Sequence, residues 1–365
     1  MEVVAKEPAT NFTKTQVYQV KVESIEEFTF SIIFSGMSWL GKGLLEAGRR
    51  GKRTGKYLRN IGRQYLDFRP RVYIVVYHRV VPELGFNLYG TKITAAAFQR
   101  QLEQLAECYS VVSMEDIRAQ YVRGKLTTRV QVVITFDDGY SDNYHCAFPL
   151  LEARKLPATF FAVTDYIGKG KPLWDYQLAL ALTKNEAVNV LDLPDLGVLQ
   201  RGERESQHEW IFRVNEEMKK LDAETRDEAM RVVSAACGTE NLQMDEVDCC
   251  MEWEQLAKMH EGGMEIGAHT CSHPSLARID PGIARDEIRE SKRAIEDNLG
   301  VKCPSFSFPF GSRLDFNRDL IDEVECSGFC DAHLNVSGFN RVDTSLFELK
   351  RIIATESTDF CREIG

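Results

Sequence analysis

From residue 71 onward the chain alternates short, continuously apolar runs with stretches of helical periodicity, and this alternation constrains the fold more than any other feature. "RVYIVVYH" (71–78), "VQVVITFDD" (130–138) and "ATFFAVT" (158–164) are β-branched, aromatic and too apolar to expose one face to water. "ITAAAFQRQLEQLAECY" (93–109) carries Phe98, Leu102 and Leu105 at helical spacing, and "SVVSMEDI" (110–117) reads as a short strand, then a helix starting at Ser113. The pattern continues through "MEIGAHT" (264–270), "ARDEIRESKRAIEDNLG" (284–300), "SFSFPFG" (305–311), "LIDEVECSG" (320–328), "FCDAHLN" (329–335) and "LKRIIA" (349–354). Strands apolar on both faces, joined by helices, predict a parallel sheet covered on both sides. At this length an α/β barrel of the (β/α) type is expected over an open sheet. Residues 165–263 are too long for one crossover. Their acidic, helical texture ("HEWIFRVNEEMKKL", "AETRDEAMRVVSAA") predicts a helical insertion at about 175–250 that covers one rim.

The first 70 residues have a different character and are read as an N-terminal helical extension. The apolar run "FTFSIIFSGMSWLGKGLL" (28–45) is interrupted by Gly36, Gly41 and Lys42 and is shorter than the roughly 20 residues of a spanning helix. Residues 41–72 carry ten Lys or Arg against two acids, +8 in a chain of net charge −10, so the remainder is −18. The expectation is a packed helix followed by a solvated basic one; peripheral contact of residues 28–72 with an anionic membrane is the alternative. The acidic total argues against nucleic-acid binding. Ten cysteines without paired CxxC motifs exclude a zinc ribbon, and no cleavable signal peptide is expected in residues 1–27. A reducing cytoplasm fits best.

Two adjacent carboxylates, Asp137 and Asp138, end one of the most apolar strands, where like charges repel. In "GAHTCSHP" (267–274), His269 and His273 are four apart, so one helical turn would put both imidazoles on one side. Two neutral imidazoles and one carboxylate, with Asp138 the candidate, suit Zn²⁺ or a similar divalent ion with open positions for water and substrate. Such an ion would offset the carboxylate repulsion, leaving the second carboxylate free to take a proton. HxxxH or DDG alone carries little weight; both at the C-terminal ends of apolar strands is a stronger signal. His145, His208, His260 and His333 show no partner pattern and are read as structural or exposed.

With "TFDDGY", "HTCSH" and "FPFG" in this order, residues 73–355 resemble the polysaccharide deacetylases, carbohydrate esterases with the NodB-homology domain. "VYHRV" (76–80), "FQRQLEQLAECYSVVSMEDI" (98–117), "ATFFAV" (158–163), "WDYQLALAL" (174–182) and "MEWEQLAKMHEGGMEIGAHT" (251–270) are similar to a branch associated with bacterial surface-polysaccharide synthesis. The resemblance implies a distorted (β/α)7 barrel over 71–365 and a metal ion, Zn first and Co or Ni next, held by Asp138, His269 and His273. It further implies Asp137 as the base and the Tyr140 backbone N–H as an oxyanion donor. Ser307 stands where the family usually has an Arg that orients the base, and Arg351 is the candidate replacement. "LFELK" lacks the family's late histidine, so His78 is the candidate acid or substrate ligand. Trp174, Asp175, Pro309 and Phe310 are candidate walls for a sugar ring.

The expected function is therefore removal of an N-acetyl group from a sugar that is polymeric, lipid-linked or nucleotide-linked, at the cytoplasmic face of the membrane. Hydrolysis of another C–N bond, a non-haem iron oxygenase and a non-catalytic scaffold of a glycan-assembly complex are the alternatives. Oxygenases of that type are generally all-β, and a scaffold has no need of a free carboxylate beside its metal site.

Overall fold

The computed structural model describes residues 69–364 apart from 243, together with three strands nearer the N-terminus. The chain divides into two compact units, Met1–Arg69 and Pro70–Gly365. In the first, Glu2–Ala5, Val17–Lys21 and Phe30–Ile33 form an antiparallel sheet with the second strand central. Within the apolar run at 28–45, Phe30–Ile33 is thus a strand and not the expected helix. Its Phe, Ile and Ile suit a pleated surface better than a helix. The rest of that run, and the basic block up to 68, lie outside the described residues.

The second unit is a closed barrel of seven parallel strands: β1 (Arg71–Tyr77), β2 (Val130–Phe136), β3 (Thr159–Ala162), β4 (Glu265–Ala268), β5 (Ser305–Ser307), β6 (Asp331–Ser337) and β7 (Leu349–Ile353). Each pairs with its neighbours in chain order, and β7 closes onto β1 through Arg351–Ile74, Ile352–Val75 and Ile353–Val76. Ser110–Val111 pairs with the first half of β2, where β3 has not yet joined.

Helices α1 (Ala95–Cys108) and α2 (Met114–Val122) link β1 to β2, and α3 (Phe148–Arg154) links β2 to β3. Ser113 caps α2 through a capping box with Asp116, as its position before the apolar-periodic residues predicts. The insertion between β3 and β4 holds α4 (Trp174–Lys184), α5 (Gln207–Met218) and α6 (Ala223–Cys237), with α7 (Trp253–Glu261) leading into β4. It also contains an antiparallel hairpin, Val190–Leu193 with Gly197–Gln200, where only helix was expected. Its alternating burial (exposed, buried, exposed, buried over Val190–Leu193) is the strand period, masked in the sequence by acidic neighbours. α8 (Pro281–Leu299) and α9 (Arg318–Cys326) complete the outer layer. Among the described residues no helix is long and apolar enough to cross a membrane.

Strand alternation decides which side chains meet the helices and which fill the barrel. Tyr77, Phe136 and Phe160 sit side by side on β1, β2 and β3, with ring centroids 5.3 and 4.4 Å apart, and Phe98 of α1 meets Tyr77 edge-on at 5.0 Å. Phe136 therefore faces outward, and the next residue, Asp137, turns inward. The interior is more polar than the strands suggest. At its lower end Arg118 of α2 pairs with Glu265 and Asp331 and donates to Ser305, the first residues of β4, β6 and β5. His333 pairs with Asp331 at 2.8 Å and lies against Phe161, whose ring is 6.0 Å from the Arg351 guanidinium. Gly267 exists to admit Phe161: a Cβ there would lie 2.6 Å from the ring and 2.9 Å from the Ser305 carbonyl.

Candidate active site

The C-terminal strand ends bring together six of the residues singled out in the sequence: Asp137 and Asp138 after β2, His269 and His273 after β4, His78 after β1 and Arg351 from β7. Asp137 is fully buried, and Arg351 meets it with both guanidinium nitrogens, Nη1 to Oδ1 at 2.7 Å and Nη2 to Oδ2 at 2.6 Å. Burial disfavours the charged carboxylate, but the Arg351 charge and, next, His269 override it and hold Asp137 well below the usual carboxylate range. Arg351 is aimed by the Leu334 carbonyl at 3.3 Å and the Asn335 side chain at 2.6 Å. Ser307 also donates to Asp137 at 3.3 Å. An arginine from the last strand thus meets the carboxylate beside the serine.

Asp138 turns the other way. Its Oδ1 lies 3.6 Å from His269 Nε2 and 3.5 Å from His273 Nε2, and the three donor atoms fall within 4.8 Å of one another. His269 Nδ1 lies 2.7 Å from the Ser307 carbonyl. A carbonyl only accepts, so Nδ1 carries the hydrogen and the Nε2 lone pair points at Asp138. Burial lowers the pKa of both histidines, helped at His273 by the neighbouring His269 and Arg226, which keeps the imidazoles neutral. Burial, Asp175 and Asp137 push Asp138 well above its ordinary value. An ion about 2.0–2.2 Å from each of three donors in tetrahedral array needs those donors about 3.3–3.6 Å apart. The donor set fits a divalent ion in type, in the His269 tautomer and in the two Asp138–histidine spacings.

The expected helical turn between the histidines is absent. The chain reverses through left-handed backbone at Thr270 (φ 67°) and His273 (φ 61°), with His273 N–H donating to the Thr270 hydroxyl at 3.0 Å. Asp138 (φ 77°) and Phe310 (φ 57°) are also left-handed, so four of the six such non-glycine residues among the described residues surround one point. Each costs of order 1–3 kcal/mol and persists where surrounding contacts dictate it. Gly139 (φ 78°) follows Asp138 because a Cβ there would lie 3.3 Å from the Ala162 backbone. The chain then enters a π-helical turn, Asn143–Ala147, whose Asn143 holds the His78 carbonyl at 2.8 Å.

A cavity of about 200 Å³ opens above these residues. His78, Tyr140, Asp175 and Phe310 line it; Trp174 and Pro309 do not. Trp174 is fully buried, donates to the His273 carbonyl at 3.0 Å and supports the loop from behind. It is the largest apolar side chain near the site, and the second layer is where such a residue buries most area. Pro309 is likewise buried in the turn before Phe310. His78 Nδ1 is buried without a protein partner, and burial lowers this imidazole to about 4. The Tyr140 ring lies beneath the Arg79 guanidinium at 4.3 Å. Tyr140 pairs with Cys250 through bonds from Ser141 N and Met251 N, which leave the Tyr140 N–H out of that pairing.

Several lining residues were not anticipated. Arg79, between Asp142 at 2.6 Å and Asp248 at 2.7 Å, and Lys92, 3.1 Å from Asp248 and from the Tyr176 hydroxyl, frame one wall. Phe212, Asn215, Glu216 and Lys219 form another. Their i, i+3, i+4, i+7 spacing was readable in "HEWIFRVNEEMKKL", but not what that face would meet.

The family model described as polysaccharide deacetylase matches residues 124–329. The chain belongs to the polysaccharide deacetylase family. Across the family, it is 33% identical over 279 residues to YxkH of Bacillus subtilis (strain 168), covering 76% of this chain and 70% of that protein. It is 32% identical over 94 residues to poly-beta-1,6-N-acetyl-D-glucosamine N-deacetylase of Escherichia coli (strain K12), 26% of this chain and 14% of that one. Among solved structures of polysaccharide deacetylases and related proteins, the Streptococcus pyogenes deacetylase PplD in complex with acetate shares the fold. It has a TM-score of 0.53 and 16% identity, over 81% of this chain and 98% of that one.

Proposed function

We propose that the chain is a metal-dependent carbohydrate N-deacetylase that hydrolyses the acetamido group of an N-acetylated sugar. One observation carries the reading. Asp137, kept charged by Arg351, lies unligated beside the Asp138–His269–His273 donor set, 4.0 Å from His269 Nε2. A divalent ion held by Asp138, His269 and His273, Zn²⁺ first and Co²⁺ or Ni²⁺ next, supplies Lewis acidity that polarises an amide carbonyl and makes water a better nucleophile near neutral pH.

The chain's own groups do the rest. Asp137 Oδ2 takes the proton of the attacking water, and Arg351 keeps that oxygen deprotonated and aimed. The Tyr140 N–H receives the developing oxyanion. His78 faces the departing amine. With its pKa lowered to about 4 it is neutral in the free protein at pH 7, so it accepts a substrate hydrogen bond first and serves as an acid only after gaining the proton that Asp137 took from the water. Asp175 and Phe310 contact the sugar.

The reading extends to a substrate of surface-polysaccharide or glycolipid precursor synthesis at the cytoplasmic membrane face, and the basic block at 41–72 supports the membrane part of it. Deleting residues 1–70 should reduce membrane partition. The parallel β/α barrel removes the ground for an oxygenase, and the charged Asp137 argues against a scaffold.

The test is acetate release from N-acetylated oligosaccharides, glycolipids and nucleotide sugars with each metal supplied, comparing wild type with Asp137→Asn. Acetate that depends on metal and falls at least about 100-fold in the variant supports the reading. No acetate from any substrate with any of the three metals ends it.

A further inference from the structure

Helix α5 runs across the catalytic end of the barrel and is fastened on both sides. On one side the Asn215 amide donates to the Tyr89 hydroxyl at 3.0 Å, and that hydroxyl donates to the Asp175 carbonyl at 3.2 Å. Lys92, three residues along the same stretch, donates to Tyr176 and Asp248 at 3.1 Å each, a second tie between this stretch and the insertion. On the other side Arg278 donates to Glu216 at 2.9 Å, and Lys219 Nζ sits 3.8 Å over the Phe310 ring. Phe310 is itself 4.7 Å from the His273 ring. The helix thus ties the segment after β1 to the loops after β4 and β5 and walls the cavity that His78, Asp137 and Asp138 also line.

We infer that this bridge makes the site a pocket for one terminal sugar, and that the enzyme acts on a chain-end or carrier-linked residue and not inside a polymer. The inference rests on the deacetylase reading above. An internal residue has a glycosidic bond on either side, so its chain must leave the site in two directions, and that needs an open groove. Here both flanks of α5 are closed by hydrogen bonds and a cation–π contact. The cavity, about 200 Å³, is also smaller than the roughly 300–1,000 Å³ of sites that enclose drug-sized ligands. That volume suits one acetamido sugar. A terminal residue needs a single exit, and its link to the next sugar or to a carrier occupies it.

The test uses the full chain with Zn²⁺ and β-1,4- and β-1,6-linked N-acetylglucosamine oligosaccharides of one to six residues. Acetate is counted per chain and each deacetylated position is located by fragment mass spectrometry. One acetate per chain, at one terminus, with internal release below one-hundredth of it and kcat/KM independent of length, is expected. Release from internal residues overturns the inference while leaving the deacetylase reading intact. Cutting both tethers with Asn215→Ala and Arg278→Ala together should admit internal residues; if that variant fails to fold, the wild-type length series still decides. Saturation-transfer NMR on Asp137→Asn reads contact without turnover: saturation confined to one terminal residue supports the pocket, and saturation spread over several residues overturns it. Terminal saturation without acetate sinks the reaction and keeps the pocket. Neither acetate nor saturation overturns both.

Discussion

Replacing Arg351 with Met should expose what the buried ion pair does. In the wild type Asp137 is fully buried, and Arg351 supplies both of its short charged hydrogen bonds, at 2.7 and 2.6 Å. The folded-state pKa is held below the unfolded value, so this pair's stabilisation is complete above about pH 3.9 and is lost as pH falls through the folded pKa. Met roughly keeps the volume and removes the charge, leaving a buried carboxylate whose one remaining side-chain hydrogen bond comes from the Ser307 hydroxyl at 3.3 Å. Burial, the largest of the remaining influences, then outweighs His269 and His78 and raises the Asp137 pKa, which reverses the sign of the linkage. Breaking such a pair costs about 3–5 kcal/mol at pH 7. Each pH unit between the variant's folded pKa and about 3.9 relieves about 1.4 kcal/mol, because protonation removes the stranded charge. Urea unfolding in EDTA at pH 7 and at pH 4.5 should show a wild-type-minus-variant difference that shrinks by at least half. His78, His269 and Asp138 also face Asp137 and titrate in both proteins, so the difference between proteins is the quantity to follow. Acetate release should fall at least about 100-fold, with partial retention in Arg351→Lys, whose single ammonium cannot reproduce the fork. A loss under about 1 kcal/mol, or one equal at both pH values, refutes the argument.

Three further outcomes follow from other parts of the molecule. Arg118→Met, at the opposite barrel end, should cost about 3 kcal/mol in urea unfolding at pH 7, the lower limit for a buried pair since Arg118 is 15% exposed, with kcat unchanged. His78→Gln should lower kcat about 100-fold. It should also flatten the loss of stability as pH falls from 6.5 toward 4, where the unfolded histidine takes a proton that the buried one refuses. The exposed Cys108 and Cys361 thiols lie 3.5 Å apart, so mild diamide oxidation should remove two of ten titratable thiols and join these two residues in a non-reducing peptide map. Cys361→Ser should abolish the link.

The barrel and much of the site were legible because both rest on local signals. Strand runs apolar on both faces can be satisfied only with helices on each side, and residues at the ends of parallel strands share one rim whatever the details. That logic reaches Asp137, Asp138, His269 and His273, and it reaches His78 and Arg351 as strand-end candidates. Two local errors came from period. HxxxH was read with helical spacing, whereas left-handed backbone at Thr270 and His273 folds the loop. The apolar run at 28–45 was read as helix, yet Phe30–Ile33 is a strand.

By itself the sequence determined the alternation, the order of the chemical groups along the chain and the rim on which they would meet. Only the tertiary structure decided that Arg351 grips Asp137 across the closure of β7 on β1, that Trp174 lies behind the histidine loop, and that α5 forms a wall of the cavity. The reason is physical. Periodicity reports which face of an element is buried, but not which distant element covers it, and every contact of this second group joins residues far apart in sequence.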